Sequence, residues 1–340
     1  MEATSTTRPT KADATTRTMR AVEHVRFGQP RDAIAIDEVA IPAVAADEVL
    51  VAVDASGITI GDYLTITGRP YVARPMFGIR TPKQRIAGFE MAGTVVAVGE
   101  DVSRFAVGDV VFGFGKGTLA EYVSVTQDAL VARPSNLAAE QAAAVPVSGL
   151  AALQAVRDAG GVSAGQKVLV VGASGAVGTF AVQIAKVLGG EVTGVAGSRN
   201  LDLLRRIGAD DVIDYTCQGL SARGVRYDVI IDLAGNRRLG DLRSALAPTG
   251  TLVIVGGSGG PVTMGFGRTI RAMALSPFVR QTLTGFMAKD SGEDLEVLAR
   301  MAAADEIVPI IDRTYPLERT IEALEHVGTR HTSGTTVVTV

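Results

Sequence analysis

The sequence predicts an α/β protein of two unlike parts, a β-rich N-terminal half followed by a doubly wound parallel sheet. Three observations predict it. Between residues 33 and 125, short apolar runs are separated by Gly, Pro and Asp turns. From Lys167 onward, β-branched runs alternate with stretches of helical spacing, the pattern of strands joined by crossover helices. At the first junction of that alternation lies a glycine-rich turn, Ala173-Ser174-Gly175-Ala176-Val177-Gly178.

The elements follow in order. Residues 1–18, MEATSTTRPTKADATTRT, carry almost no large apolar side chain and are expected to form a flexible tail. Arg and Thr there suggest an organelle transit peptide, but Glu2, Asp13 and the missing apolar stripe argue against one. Strands are expected over 33–39, 48–53, 93–98, 109–112 and 121–125, and helices over the Ala-rich 137–156. The alternating part then places strands at 167–171, 191–196, 211–214, 227–232 and 251–255. The first crossover helix carries Phe180, Val182, Ile184, Ala185 and Leu188, and Gly189-Gly190 ends it. A helix over 266–276, a sixth strand over 280–287 and a helix over 293–303 come next. The apolar run 307–311, a helix over 317–327 and a strand over 335–340 finish the chain. The expected division is a first domain over 19–140, a second over 141–287, and a return to the first over 288–340.

The turn carries the chemistry. Ala173 to Gly178 reads as G-x-G-x-x-G with its first glycine replaced by alanine. Gly175 lets backbone approach a pyrophosphate, Gly178 lets helix pack on strand, and the free amides at the helix start favour the phosphate charge. In the version that takes NAD, an acid about 20 residues beyond the turn accepts the ribose hydroxyls. Gly197-Ser198-Arg199 stands there instead. A carboxylate would repel a 2′-phosphate, whereas a guanidinium grips one through two parallel hydrogen bonds. The expected cofactor is NADPH, with a solvated surface arginine as the competing reading of Arg199.

Composition narrows the class. A chain of 340 residues is long enough for two cores, and its net charge of −3 offers no basic face for nucleic acid. No stretch of about 18 uncharged apolar residues suggests a membrane span. The one cysteine, Cys217, fits a reducing compartment, and a cytoplasmic location is expected.

Further blocks carry a family resemblance over nearly everything after Met19. They are Ala55-Ser56-Gly57-Ile58-Thr59-Ile60-Gly61-Asp62, Gly88-Phe89-Glu90-Met91-Ala92-Gly93-Thr94-Val95, Val107-Gly108-Asp109-Val110-Val111 and Ile311-Asp312-Arg313-Thr314-Tyr315-Pro316-Leu317. With the glycine turn, their order and spacing resemble the medium-chain dehydrogenase/reductase superfamily in its zinc-free, quinone oxidoreductase-like branch. The resemblance implies a GroES-like catalytic domain joined to a Rossmann domain. Zinc alcohol dehydrogenases of that superfamily place a Cys where Thr59 stands and a His where Phe89 stands. Neither residue here supplies a thiolate or imidazole, so no metal is expected. The implied activity is hydride transfer from NADPH to a quinone or an activated double bond. A zinc-free carbonyl or biosynthetic tailoring reductase and a cofactor-binding sensor or scaffold are the alternatives. The residues expected at the cofactor are Ala173, Ser174, Gly175, Ala176, Val177, Gly178, Ser198, Arg199, Tyr215, Ala234, Gly235, Gly256 and Gly257, with Asn200 assisting. Tyr215 reads equally well as a half-buried core residue. Thr59, Tyr63 and Tyr71 are the catalytic candidates. A regular helix would turn Tyr63 away from the place where the family often has a tyrosine, which is Leu64 here. Asp62 reads first as a structural hydrogen bonder, Ser148 as a substitute hydroxyl and Lys83 as an exposed lysine. The edge strand over 280–287 suggests a homodimer.

Overall fold

A computed structural model describes residues 17–220, 224–257, 262–263 and 265–340. The expected tail lies outside the described residues as far as residue 16, and its last residue, Thr18, already begins a strand.

In chain order the N-terminal strands are β1 (Thr18–His24), β2 (Ile34–Ala40), β3 (Glu48–Ile58), β4 (Glu90–Val98), β5 (Val110–Phe114), β6 (Tyr122–Thr126) and β7 (Leu130–Ala132). The later ones are β8 (Lys167–Val171), β9 (Glu191–Ala196), β10 (Asp211–Asp214), β11 (Tyr227–Asp232), β12 (Leu246–Ile254), β13 (Thr282–Gly285), β14 (Ile311–Pro316) and β15 (Thr335–Thr339). β1 and β2 form an antiparallel pair. A mixed sheet runs β14-β15-β3-β4-β5-β7, with β6 against β3. The other sheet runs β10-β9-β8-β11-β12-β13 and is parallel throughout. Counted from β8 as first, that order is 3-2-1-4-5-6, the dinucleotide-binding arrangement.

β8 shows why such strands read as continuous apolar runs. Val168 and Val170 pack on one face with Ala181, Ile184 and Ala185 of the helix Ala176–Val187. Leu169 and Val171 pack on the other with Ile230, Leu242 and Leu252. Both faces are covered, so period-2 polarity has no place to show. The helix ends where glycine was expected to end it: Gly189 has φ 83°, and Gly190 N–H donates to Ala185 O at 2.9 Å.

Several elements depart from expectation. β1 and β7 were unforeseen, one because Arg20 and Glu23 interrupt its apolar residues and the other because it is three residues long. The helix Ile60–Thr67 was unforeseen too, being rich in β-branched residues. The run 307–311 forms no strand except for Ile311, which opens β14. Its backbone is satisfied by a side chain instead: Val308 N–H donates to Gln183 Oε1 at 2.7 Å, and Gln183 Nε2 donates to Val308 O at 3.1 Å. Among the described residues no helix is long and apolar enough to cross a membrane.

Candidate cofactor and substrate site

Strand order reverses between β8 and β11, and the crevice at their carboxyl ends is where ligands bind in such sheets. Three loops close on it. The first is the glycine turn. Gly172, one residue before the expected motif, holds the left-handed conformation at φ 85°, while Ala173 is fully buried. A Cβ at Gly178 would stand 2.2 Å from Gly172 O and 2.7 Å from Ala173 C, so only glycine lets the helix start this close to the strand. A Cβ at Gly175 would meet nothing nearer than Gly172 O at 3.6 Å. Gly175 also caps the helix Ala176–Val187 without any side-chain bond, and it bridges to Gly334 in parallel pairing. The open Cβ direction at Gly175 and the helix start are room and charge for a pyrophosphate. Ala176 and Val177 form the first turn, and both are half-buried.

The second and third loops follow β11 and β12. Leu233 N–H and Ala234 N–H both donate to Val171 O, at 3.0 and 3.2 Å. Gly235 has φ 68°, and a Cβ there would lie 2.7 Å from Gly256 O and from Gly257 Cα. One at Gly256 would overlap Leu233 O at 1.8 Å. The loops therefore pack backbone on backbone. Arg268, from the helix Phe266–Leu275, ties them: Nη1 donates to Arg237 O at 3.0 Å and Nη2 to Gly256 O at 3.2 Å. Its Nη1 also lies 2.6 Å from Asp232 Oδ2, an ion pair whose angle misses hydrogen-bond geometry, and Asp232 is fully buried. Asp232 Oδ1 accepts from Gly235 N–H at 3.1 Å. Burial pushes the Asp232 carboxyl up, and Arg268 pulls it back only in part. No spacing rule pointed to Arg268, because it joins loops distant in sequence.

At the far end of the crevice the residues after β9 meet those after β10. Ser198 and Arg199 are exposed, and Tyr215, 48% exposed, lies with its ring against Gly197. Arg199 Nη2 donates to His331 O at 2.7 Å. Asn200 Nδ2 donates to Ser174 Oγ at 3.0 Å and receives a bond from Ser333 Oγ at 2.9 Å, so it links this end to the glycine turn. Two residues here were unforeseen. The Arg237 guanidinium lies 6.0 Å from the centre of the Tyr215 ring. Asp214 accepts from Ser198 Oγ at 2.5 Å, and that bond, with those from Thr216, holds its carboxyl below the usual range.

The N-terminal part closes the other side. The segment before β15 reaches the loops: Gly334 N–H donates to Ser174 O at 2.9 Å, and Arg330 Nη1 to Gly257 O at 2.9 Å. Thr59 caps the helix Ile60–Thr67 and is 7% exposed. Thr59 N and Oγ1 both donate to Asp62 Oδ2, at 2.8 and 2.9 Å, a reciprocal cap. Burial pushes Asp62 up to about 6 against the pull of these bonds. Tyr63 turns onto Gly328, where a Cβ would lie 2.5 Å from its ring, and its hydroxyl points to Gln29 Oε1 at 3.5 Å. Tyr71 is 46% exposed at the lip, and its neighbour Val72 donates to Val262 O across the gap at 3.3 Å. Ser148 is fully buried, and Lys83 Nζ donates to Pro75 O. Of the three catalytic candidates, Thr59 alone is both held in one orientation and joined to a titratable group.

Few of these residues carry the donors that a catalytic metal takes. Phe89 offers no donor, Thr59 Oγ1 bonds Asp62, and the lone cysteine, Cys217, is exposed just after β10, with its Sγ 3.9 Å from Asp214 Oδ2. Among the described residues no three His, Cys, Asp or Glu side chains come together as a metal would require.

Comparison with known proteins agrees with this architecture. Residues 45–135 match the alcohol dehydrogenase GroES-like domain, and residues 207–338 match the zinc-binding dehydrogenase family. The chain is 32% identical over 329 residues to the quinone oxidoreductase of Sus scrofa, covering 91% of this chain and 94% of that protein. It is 33% identical over 280 residues to the mitochondrial NAD(P)H oxidoreductase RTN4IP1 of Mus musculus, covering 74% and 70% respectively. The structure of a quinone oxidoreductase from Coxiella burnetii superposes with a TM-score of 0.82 at 28% identity, over 95% of this chain and all of that one. Fold, crevice and relatives converge: the chain belongs to the medium-chain dehydrogenase/reductase superfamily, with quinone oxidoreductases among its relatives, and is an oxidoreductase of NAD(P)-dependent type.

Proposed function

We propose that this oxidoreductase uses NADPH, needs no zinc, and reduces quinones or the activated double bond of α,β-unsaturated carbonyls. The observation that carries the reading is the trio of glycine-bearing loops at the ends of β8, β11 and β12, in a chain whose Thr59 and Phe89 stand where the zinc enzymes of the family carry their Cys and His. Bound there, the reduced nicotinamide supplies a hydride. An acceptor already polarised by its own carbonyl takes it without metal assistance, and the chain's work is binding, orientation and exclusion of water.

The residues divide that work. The open Cβ direction at Gly175 and the amides of Ala176 and Val177 suit the pyrophosphate. Ser198 and Arg199 suit a 2′-phosphate, with Asn200 beside them and Tyr215 along the adenosine. Ala234, Gly235, Gly256 and Gly257, clamped by Arg268, suit the nicotinamide ribose. Thr59 is placed to hydrogen-bond the acceptor carbonyl, and Tyr71 borders the entrance. Tyr63, packed on Gly328, serves as support. The protein works as a homodimer joined near β13.

Asp214 favours a second reading. A carboxylate bonded to Ser198 is the group that would accept ribose hydroxyls, and it would oppose a 2′-phosphate. On that reading NADH is the cofactor. Calorimetric titration with NADPH and NADH decides between them, and cofactor consumption with simple quinones and enones tests the reaction. Tighter binding of NADPH and turnover without added zinc are expected. Absence of NADPH binding, or activity abolished by a chelator and restored by zinc, would overturn the reading.

A further inference from the structure

Two carboxyl groups, Asp62 bonded to Thr59 and Glu90 on β4, lie buried in the N-terminal part, and the reading above uses neither. Asp62 is 1% exposed and Glu90 is fully buried. Each has one oxygen engaged, Asp62 Oδ2 by Thr59 and Glu90 Oε2 by Val147 N–H at 2.7 Å. Each has the other, Asp62 Oδ1 and Glu90 Oε1, buried with no hydrogen-bond partner. Gly57 admits the second carboxyl: a Cβ there would stand 2.2 Å from Glu90 Oε1. An ionised carboxylate with an unpaired oxygen is costly to bury, and the Asp62 charge raises that cost for Glu90, so the pair holds protons where isolated carboxyls would have lost them.

Among the described residues neither carboxyl is in an ion pair. His24 from β1 lines the same small cavity as Asp62, and burial pushes its imidazole down, toward the neutral form. On the helices Pro30–Ala33 and Thr320–Gly328, which pack against Ile60–Thr67, Arg31 is paired with Glu325 and His326 with Asp312. Arg74 is engaged at the end of the helix Ile60–Thr67, where its Nε donates to Gly68 O at 2.8 Å, and Glu90 lies on β4. Burial and the Asp62 charge hold it well above the usual carboxylate range, while Asp62 is pushed up to about 6.

We propose that Asp62 and Glu90 form a buried proton store, and that Asp62 passes its proton through the Thr59 hydroxyl to the oxygen of the bound acceptor. This rests on the reading of the site as a reductase of activated carbonyl compounds. The balance is as follows. With a hydride bonded to the β-carbon of an enone, the π pair shifts to the carbonyl oxygen. That oxygen takes the proton of Thr59 Oγ1, and Oγ1 takes the proton of Asp62. The carboxyl becomes a carboxylate as the cofactor becomes the oxidised, positively charged nicotinamide, so charge is conserved, and the enol released becomes the saturated ketone. The 2.9 Å contact between Thr59 Oγ1 and Asp62 Oδ2 serves both directions, with Asp62 donating when protonated. Glu90, neutral beside it, keeps the second charge out. A small cavity of about 10 Å³, bounded by His24, Asp62, Gln84 and Phe89, adjoins the Asp62 carboxyl.

The test compares Thr59→Val, Thr59→Ser, Asp62→Asn and Glu90→Gln with the wild type, using an enone and NADPH across pH 5 to 8. Wild-type kcat should fall as pH rises through about 6, because the donor is the protonated carboxyl. Asp62→Asn and Thr59→Val should lose about 100-fold or more of kcat and the pH-dependent limb, while Thr59→Ser keeps both within a few-fold. An independent readout is the infrared band of a protonated carboxyl, which should titrate near pH 6 in the wild type and vanish in Asp62→Asn. Wild-type rate and pH profile in Thr59→Val, or an infrared band unchanged in Asp62→Asn, would overturn the proposal, and the Thr59 pair decides it even if Asp62→Asn does not fold. Failure of the functional reading looks different: no turnover by the wild type with any acceptor.

Discussion

Gly175 and Gly178, three positions apart in one turn, have opposite tasks, and the pair makes the first prediction. Gly178→Ala forces a Cβ to 2.2 Å from a buried carbonyl and should cost about 1–3 kcal/mol or more of stability. Gly175→Ala meets no atom closer than 3.6 Å, so its stability should change by less than about 1 kcal/mol while cofactor binding weakens sharply. Urea unfolding and calorimetry of the two variants separate these effects, and equal loss of stability in both would contradict the assignment. Arg199 gives the second. Arg199→Ala should raise the KM for NADPH by roughly 10- to 150-fold more than that for NADH, the worth of about 1.5–3 kcal/mol of charge-assisted bonding. Equal effects on both cofactors would leave its bond to His331 O as its whole role. Asp62 gives the third. Its pKa rises from 3.8 in the unfolded chain to about 6 in the folded one, roughly two units or about 3 kcal/mol. A raised carboxyl destabilises the fold: the penalty is absent below pH 4, grows as pH rises, and is complete above pH 6. Asp62→Asn removes it and keeps an acceptor for Thr59, so its stability relative to the wild type should climb between pH 4 and 7. Parallel urea midpoints over that range would refute this. At this scale the glycines were legible because their requirement is local geometry. Arg268, Arg237 and Asp214 were not, because each acts on a partner brought near only by the sheet.

Elements buried on both faces were the most legible. β8, β9, β10 and β11 fall where their apolar runs put them, since a strand covered on both sides needs apolar residues throughout. β1 and the helix Ile60–Thr67 were not, because their residue types contradict their states and tertiary packing overrides propensity. The helix matters most, for it carries the Thr59–Asp62 cap into the cleft. The helix Phe266–Leu275 holds the matching position on the cofactor side, and its Arg268 gives the fourth prediction. Arg268→Ala leaves Asp232 buried without its cation and should cost about 3–5 kcal/mol. Arg268→Met with Asp232→Asn removes both charges and should recover a large part of that stability, without restoring the clamp on Gly256 and Arg237. Chemical denaturation measures the first effect and cofactor affinity the second. A single variant as stable as the wild type would show that the pair does not hold the loops.

At the scale of the whole molecule, the sequence suggested two parts and a return to the first over 288–340, but not the contacts between them. The chain returns through β14 and β15 to the first sheet, and residues 330–334 touch the cofactor loops of the second at Ser174 and Gly257. Nothing in the spacing of Arg330 or Gly334 announces partners more than 70 residues away. Assembly is the remaining question at this scale. β13 stands at the sheet edge as its sequence suggested, yet Leu283 N–H is already taken by Ser276 Oγ at 2.9 Å, so backbone pairing there is blunted. Side chains offer more. Ile270, Met273 and Phe278, beside that edge, are 62%, 54% and 84% exposed. An isologous contact over this face would bury them against their own copies. Light scattering at micromolar concentration should therefore give twice the mass of the chain. Ile270→Glu with Met273→Glu should give a monomer that still folds, since both side chains are exposed in the single chain. Losing two such burials is worth about 3–6 kcal/mol, a rise in the dimer Kd of at least about 100-fold. The same helix ties Arg268 to the loops after β11 and β12, so on the proposed reading the monomeric variant should also bind the cofactor more weakly than the dimer. A wild-type monomer would rule out this interface, and a variant dimer as tight as the wild type would move the contact elsewhere.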